Sequence, residues 1–258
     1  ATSARMCPPE LVGGALAIGS ALGLFGGGSV LWISASVKDG EFVGNTVSNI
    51  ATHGPRVLGL VAVLALLAGL RGGAQGGPIA LEAADVVHVM LSPVDRRRAL
   101  LRPAVQRVRG AVFAGATAGA IAGQLAGRRL PGTLPAWAAG GALFGTVVAL
   151  LWASAALLAH TLRMPRWLAT VLGTAVFAWQ AAAVGVGFTG PANTVGSLGL
   201  WGWRQHTIDL VPVAVVVVTT AVGLTLLERI SLEALARRSA LVAQLRFAVT
   251  MQDLRTVV

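Results

Sequence analysis

Long apolar runs separated by short polar segments dominate the chain. An α-helix needs roughly 20 mostly apolar residues to cross the hydrocarbon core of a bilayer, and six runs approach or exceed that length. The second is the shortest, and the third is rich in Ala and Gly. The pattern predicts an all-α, polytopic membrane protein with about six transmembrane helices, at residues 11–36, 55–70, 110–126, 135–160, 167–188 and 208–227.

The composition supports a membrane protein over a soluble one. Hydrophobic residues make up 55% of the 258 residues and charged residues only 12%, against about 25% charged residues in soluble domains. The net charge of +10 raises the alternative of nucleic-acid binding. That function needs basic residues on a soluble face, whereas these lie between apolar runs. We therefore expect membrane lipids, and no nucleic acid, among the partners.

The positions of Lys and Arg predict the orientation, because cytoplasmic loops carry an excess of both. With the N-terminus inside, 15 of the 20 basic residues are cytoplasmic, and the opposite orientation reverses the ratio. Both termini are therefore predicted to be cytoplasmic, in a multi-pass protein of the plasma membrane. The five basic residues outside are Lys38, Arg56, Arg128, Arg129 and Arg204.

Two parts of the chain are distinguished by this pattern. Residues 1–227 are predicted to form the membrane domain, with a cytoplasmic region at 78–109 between the second and third spans. Residues 228–258 are predicted to form a cytoplasmic amphipathic helix that packs on a partner, since Leu235, Val242 and Val249 are one heptad apart. The start at Ala1 and the end within a helical pattern also suit a piece of a longer protein.

Tryptophans are expected to mark the membrane boundaries. Trp32, Trp137, Trp201 and Trp203 are predicted near the outer interface and Trp167 near the inner one, as in the aromatic belts of membrane proteins. The two deeper tryptophans are predicted to be buried between helices. These are Trp152 and Trp179.

Glycines recur every fourth residue in two of the predicted spans. In lipid, helices associate through close backbone approach, so small residues at this spacing mark contact surfaces. Compositional drift toward Ala and Gly is the alternative explanation, and the partner helix lies either in this chain or in a second subunit. The glycines are Gly19, Gly23 and Gly27 in the first span and Gly115, Gly119, Gly123 and Gly127 in the third.

The cytoplasmic region between the second and third spans contains the densest group of charges. Residues 78–91 alternate apolar and polar positions in a way that suits a helix along the membrane surface. Ser92 and Pro93 end or kink it, since proline disfavours helix for the residue before it. A second short helix is predicted from Asp95, whose charge suits a helix N-terminus. Arg96, Arg97 and Arg98 follow.

The string "LEAADVVHVMLSPVDRRRALL" resembles the loop between the second and third spans of ABC-2-type transporter permeases. The family pattern is a Glu and a Leu-rich helix, then Ser-Pro-Val, a small polar residue and Arg. The tail is similar to actinobacterial permease-like proteins whose chain continues into a second membrane half. The usual Arg-Glu pair upstream and an amphipathic helix before the first span are absent. The pattern is matched by Glu82, Leu91, Ser92, Pro93, Val94, Asp95 and Arg96.

The resemblance implies that this loop is a coupling helix, which docks into a groove on a cytoplasmic ABC ATPase. ATP and Mg²⁺ are then bound by that subunit, and this chain carries no cofactor or catalytic residue. A second permease half or a homodimer mate is also implied. The alternative is that the arginines are only topology signals that attract anionic lipid. The coupling residues implied are Glu82, Asp85, His88, Ser92, Pro93, Asp95, Arg96, Arg97 and Arg98.

The outer loop at residues 189–207 is rich in Gly, Pro and Trp, which suits a short re-entrant or interfacial hairpin buried by protein. In the resembled family this loop holds short helices that cap the pathway, which implies that role for Gly190, Pro191, Trp201 and Trp203. Arg204 and Asp209 lie close enough to pair, although separate solvated positions are the simpler expectation.

Several other functions are disfavoured by the residues present. A P-loop needs a Lys followed by Ser or Thr, and the single lysine, Lys38, precedes Asp39. The four histidines are scattered and Cys7 is the single cysteine, so no metal site is expected. An intramembrane enzyme lacks a motif such as GxSxG. A structural or accessory subunit of a larger membrane complex remains the alternative function.

The near absence of charge within the predicted spans bears on the cargo. Polar or ionic cargo calls for intramembrane polar partners. We therefore expect the cargo to be a lipid, a hydrophobic peptide or an amphipathic molecule, and the resemblance implies an ATP-driven permease that exports it.

Overall fold

The computed structural model describes residues 44–74, 96–128 and 130–229, and these ranges are almost entirely helical. Four long helices come first: α1 (Gly44–Ala74), α2 (Arg96–Gly127), α3 (Leu134–Thr161) and α4 (Arg166–Val186). Two short helices follow, α5 (Asn193–Leu198) and α6 (Trp201–Arg204). A 3₁₀ turn at Thr207–Leu210 then leads into α7 (Val211–Thr225), and a second 3₁₀ turn spans Leu226–Arg229.

Five helices in the described ranges are long and apolar enough to cross a membrane. They are Asn49–Ala74, Leu100–Gly127, Leu134–Thr161, Arg166–Val186 and Thr207–Thr225. The prediction of an all-helical, multi-pass membrane protein is thereby confirmed over these ranges, and the five helices match the second to sixth predicted spans. The first predicted span, the surface helix at 78–91 and the tail helix lie outside the described residues.

Two helix boundaries differ from the sequence prediction. The second span was predicted to begin at Pro55. Helix α1 instead begins at Gly44 and contains Pro55 in its interior. The short helix predicted after Asp95 does not end before the third span, because α2 runs unbroken from Arg96 to Gly127. A glycine such as Gly110 costs a helix only about 1 kcal/mol relative to Ala, which is too little to end one.

The described residues form two compact units. The first unit comprises residues 44–63, 111–149 without 129, and 178–212. Its hydrophobic core contains Ile50, Leu130, Trp137 and Leu200.

The second unit comprises residues 64–74, 96–110, 150–177 and 213–229. Its core contains Leu100, Ala104, Leu157 and Leu227, with Val108 and Leu224 packed against them. The beginning of α2, the end of α3 and the second 3₁₀ turn therefore share one core.

The burial of several tryptophans differs from what the sequence predicted. Trp167 is 68% exposed, as a residue of an aromatic belt should be. Trp137 instead lies inside the first unit with 1% of its surface exposed, and its Nε1 donates to the Pro131 carbonyl at 3.1 Å. The buried position predicted for Trp179 is wrong, since this side chain is 56% exposed. Trp152 is half-buried, and Trp32 lies outside the described residues.

Candidate functional site

The regularly spaced glycines of α2 lie against α3 within the first unit. A Cβ atom added at Gly115, Gly119 or Gly123 would come within 3.0 Å of α3 backbone atoms. The nearest α3 atom is the carbonyl oxygen of Gly145 for Gly115 and that of Gly141 for Gly119. In turn, a Cβ atom added at Gly145 or Gly141 would overlap the carbonyl of Gly115 or Gly119. The helices therefore touch backbone to backbone, as small residues four apart permit in membrane proteins.

The sequence left open whether the glycines of the third span contact a helix of this chain or of a second subunit. The partner is the next helix of the same chain, and Gly127 continues the contact against the Trp137 ring. Sequence reasoning overlooked Gly141 and Gly145, although they too are four residues apart. Gly19, Gly23 and Gly27 lie outside the described residues.

The most polar part of the first unit is the outer-loop segment, defined here as residues 187–210 between α4 and α7. It contains α5, α6 and the first 3₁₀ turn. Its backbone packs closely on α1: a Cβ at Gly196 would overlap the Pro55 carbonyl, and a Cβ at Gly59 would come within 3.0 Å of the Ala192 carbonyl oxygen. The segment is therefore held on the bundle rather than extended from it.

Gln180 of α4 joins this segment to α1. The side chain is fully buried. Its Nε2 donates to the Arg56 carbonyl at 2.8 Å and to Asn193 Oδ1 at 3.0 Å. Its Oε1 accepts the Ala192 backbone N–H at 3.1 Å. One side chain thus satisfies polar groups from α1, from α5 and from the residue before α5, as a buried amide must.

The position of Gln180 also fixes how deep the outer-loop segment reaches. Val186, the last residue of α4, lies six residues after Gln180, which is about 9 Å along a helix that rises 1.5 Å per residue. Ala192 and Asn193 nevertheless bond to Gln180. The chain therefore leaves α4 and folds back about 9 Å alongside it. The composition predicted a short re-entrant or interfacial hairpin, and a segment that folds back on the helices agrees with either.

Two arginines bind backbone carbonyls at this site. Pro55 has no N–H, so it leaves the carbonyl four residues earlier, that of Ala51, without its helical donor. Arg204 Nη2 donates to this Ala51 carbonyl. Arg56 Nη2 likewise donates to the Gly187 carbonyl just after α4. The arginines therefore complete the backbone hydrogen bonding at the proline of α1 and at the end of α4.

Asp209 is the acidic residue of the described part of the first unit. Its Oδ1 accepts the Ser197 hydroxyl at 2.7 Å, and its Oδ2 is buried with no hydrogen-bond partner among the described residues. Arg204 and Asp209 do not pair with each other. Arg204 donates to the Ala51 carbonyl, and Asp209 accepts from the Ser197 hydroxyl. Asp209 instead ties the 3₁₀ turn to α5.

The outer-loop residues singled out in the sequence have different surroundings. Gly190 lies against the Gln180 side chain, and Trp203 packs on the core of the first unit. Trp201 is half-buried, and its Nε1 is buried without a hydrogen-bond partner in the described ranges. Pro191 is exposed. Gly190 and Trp203 thus serve the packing of the outer-loop segment.

Three of the nine implied coupling residues lie in the described part of the chain. Arg96, Arg97 and Arg98 form the first turn of α2. The other six, which lie outside the described residues, are Glu82, Asp85, His88, Ser92, Pro93 and Asp95.

Sequence reasoning missed Gln180, Arg56 and Asn193 as parts of one cluster. The signal was a single amide side chain in an otherwise apolar span, since a polar group inside a membrane helix requires a partner. Metal ligands show no such cluster: within residues 44–74, 96–128 and 130–229, no three His, Cys, Asp or Glu side chains come together.

The fold and this site define a multi-pass helical membrane protein with a loop segment that folds back on its helices and is tied to them by hydrogen bonds. Comparison of the chain with models of known protein families, with curated proteins and with solved structures gives no match.

Proposed function

We propose that this chain is the membrane-spanning permease subunit of an ATP-driven ABC transporter, energised by a separate ATPase subunit. The observation that carries the proposal is the segment "LEAADVVHVMLSPVDRRRALL", which resembles the coupling loop of ABC-2-type permeases. It joins two helices, α1 and α2, that are both long and apolar enough to span a membrane. A partner bound to it would act directly on two spans.

The packing at the start of α2 supports this role. Leu100 and Ala104 lie one and two turns after Arg96, and each is at most 2% exposed in the core of the second unit. A partner that displaces the first turn of α2 would therefore act on this core, which also contains Leu157 of α3 and Leu227.

The charges of the first turn point to an anionic partner. A helix N-terminus carries a partial positive charge, so each cation there costs about 0.3–1 kcal/mol. Arg96, Arg97 and Arg98 occupy this turn, and Asp95, the residue before it, supplies one negative charge against three positive ones. An acidic surface on an ATPase would offset the remaining repulsion.

The helices also support an apolar or amphipathic cargo. Eight hydroxyl groups of these helices donate to carbonyls three or four residues earlier in the same helix, which leaves them little capacity to donate to a ligand. The amide of Gln180 is likewise occupied. We propose a lipid, a hydrophobic peptide or an amphipathic molecule as cargo. The self-bonded hydroxyls are those of Thr117, Ser154, Thr161, Thr170, Thr174, Thr219, Thr220 and Thr225.

The outer-loop segment takes the role of a cap in this proposal. It folds back beside α4 and is tied to α1 by Gln180, Arg56 and Arg204. Because this segment packs on α1 and is hydrogen-bonded to Gln180 of α4, a movement between these two helices would displace it. Export past this cap is the direction that we propose.

Co-purification tests the proposal. The tagged chain is extracted from its own cells in a mild detergent, and the accompanying proteins are quantified by mass spectrometry. We expect a P-loop ATPase in stoichiometric amount with the wild type. Simultaneous Arg96→Ala, Arg97→Ala and Arg98→Ala changes should reduce its recovery at least tenfold, because three charged contacts of about 0.5–1 kcal/mol each are removed.

A matched control removes the same charge elsewhere. Arg71, Arg102 and Arg109 are exposed residues of the second unit outside the segment 82–98, and changing all three to Ala should leave the ATPase bound. Equal loss in both triple variants would assign the effect to net charge. No ATPase with any form would favour the alternative function, a structural or accessory subunit of a larger membrane complex.

A further inference from the structure

The turn between α3 and α4 is short and has an unusual backbone. Residues 162–165 connect the two helices, and the Met164 N–H donates to the Ala159 carbonyl at 2.9 Å while the Arg163 N–H donates to that of His160 at 3.2 Å. This is the way many helices end when the next residue adopts a left-handed conformation. Arg163 occupies that position, with φ at 51°.

Glycine is the residue that this backbone favours, because a Cβ atom is strained there. Gln205, which ends α6 with φ at 49°, is the other non-glycine residue with a left-handed backbone in the described ranges, while Gly132 and Gly187 have larger positive φ values of 123° and 94°. Non-glycine residues are uncommon at such positions, so a role of the Arg163 side chain is one reason for keeping an arginine here.

The side chains around this turn give that reason. Leu162 is 57% exposed and Trp167 is 68% exposed, and Arg163 and Arg166 are exposed between them. The described part of the second unit contains ten arginines and one acidic residue, Glu228. The turn therefore presents two exposed arginines flanked by two exposed apolar side chains.

The location of the turn determines what can meet these groups. Because it joins two helices that are both long and apolar enough to span a membrane, the turn lies at a membrane surface. Lipid phosphates lie at that level, and tryptophan is enriched there. Arginine matches phosphate geometry with a planar fork of donors.

We propose that Arg163 and Arg166 bind the phosphate of an anionic phospholipid, with Leu162 and Trp167 placed in the adjoining headgroup and acyl region. The site holds the α3–α4 turn at the membrane surface. This inference requires only that the chain spans a membrane, and it does not depend on the proposed transport function.

Lipid titration of the purified full-length chain tests the site. The probe is short-chain phosphatidylglycerol, with phosphatidylcholine of the same chain length for comparison, and occupancy is read by native mass spectrometry. The wild type should bind phosphatidylglycerol more tightly than phosphatidylcholine. Arg163→Gly and Arg166→Ala should each weaken phosphatidylglycerol binding about fivefold, as expected for one basic residue near an anionic lipid surface.

Arg163→Gly also separates binding from folding. Since glycine suits the left-handed position, the thermal unfolding midpoint of this variant should equal or exceed that of the wild type while lipid affinity falls. Arg163→Lys, which keeps a charge, should retain part of the affinity. Arg128→Ala is the matched control, because Arg128 is an exposed arginine beside the other short turn between spans, and it should bind phosphatidylglycerol like the wild type.

Three results would overturn the proposal. The first is unchanged phosphatidylglycerol affinity in the Arg163→Gly and Arg166→Ala double variant. The second is a lower unfolding midpoint for Arg163→Gly, which would make the arginine a structural part of the turn. The third is equally tight binding of inorganic phosphate, which would identify the ligand as free phosphate instead of lipid.

Discussion

Gln180 is the side chain on which the outer-loop segment most depends. Replacing it with Leu keeps a similar volume and removes all three of its hydrogen bonds. The Ala192 N–H would then be buried without an acceptor, which costs about 1–3 kcal/mol. We predict that Gln180→Leu lowers stability by that amount in thermal unfolding and exposes residues 187–210 to proteolysis.

Thr174 supplies the control for this change. It is exposed on the same helix, and its hydroxyl bonds only to carbonyls of α4 itself. Thr174→Val should change stability by less than about 0.5 kcal/mol. Equal resistance of the Gln180→Leu loop and the wild-type loop to protease would show that the hydrogen bonds do not hold the segment.

Pro55 and Arg204 are predicted to act as a pair. Arg204→Ala leaves the Ala51 carbonyl without the donor that replaces the proline's missing N–H, and should cost about 1 kcal/mol. In a Pro55→Ala background the helix supplies its own donor, so the same change should cost much less. A double-mutant cycle by thermal unfolding measures the difference. Equal costs in both backgrounds would mean that Arg204 acts by other contacts.

At the scale of elements, the pair formed by α2 and α3 depends on the absence of side chains at its contact. A Cβ atom at Gly119 would overlap the backbone of Gly141. We predict that Gly119→Ala separates the helices and destabilises the chain by about 1–3 kcal/mol, the usual cost of overpacking. Thermal unfolding in detergent is the measurement.

The same helix contains the control. An added Cβ at Gly110 meets nothing within 4 Å, so Gly110→Ala should be neutral or stabilise α2 by up to about 1 kcal/mol. If Gly110→Ala and Gly119→Ala have the same effect, helix propensity and not packing determines the outcome.

Hydropathy predicted the five described spans, because long apolar helices are the ordinary way to cross a bilayer. It failed for Trp179, since lipid and protein interior are both apolar and the pattern does not distinguish them. It did not indicate the burial of Trp137, which lies in the first turn of α3 and belongs to the core of the first unit. The partner of the α2 glycines required three-dimensional information, although Gly141 and Gly145 carried a matching spacing.

The candidate site was predicted less completely than the spans. The Gly-, Pro- and Trp-rich loop indicated a re-entrant segment, and two short helices are found there. Its attachment was not foreseen, because it depends on which distant carbonyls Gln180, Arg56 and Arg204 reach. Such contacts between residues more than 100 positions apart leave no periodic signal.

At the scale of the whole molecule, the arginines separate between the two units. Among described residues the first unit contains Arg56, Arg128 and Arg204. The second unit contains ten. This division follows the predicted cytoplasmic and outer sets. The ten are Arg71, Arg96, Arg97, Arg98, Arg102, Arg107, Arg109, Arg163, Arg166 and Arg229.

Cysteine labelling tests the orientation that this division predicts. Cys7 is the single cysteine, so Cys7→Ser provides a background free of other thiols. Thr189 and Arg71 are both exposed. A membrane-impermeant maleimide should label Thr189→Cys in intact cells and Arg71→Cys only after the cells are permeabilised. The reverse pattern would place the termini outside.

The central claim is that residues 82–98 contact an ATPase, and site-specific photo-crosslinking in living cells tests it most directly. A photoreactive amino acid is placed at His88, in the coupling segment, and for comparison at Thr189, in the outer-loop segment. The account predicts a covalent adduct with a P-loop ATPase from position 88 and none from position 189. No ATPase adduct from position 88, or the same adducts from both positions, would contradict it.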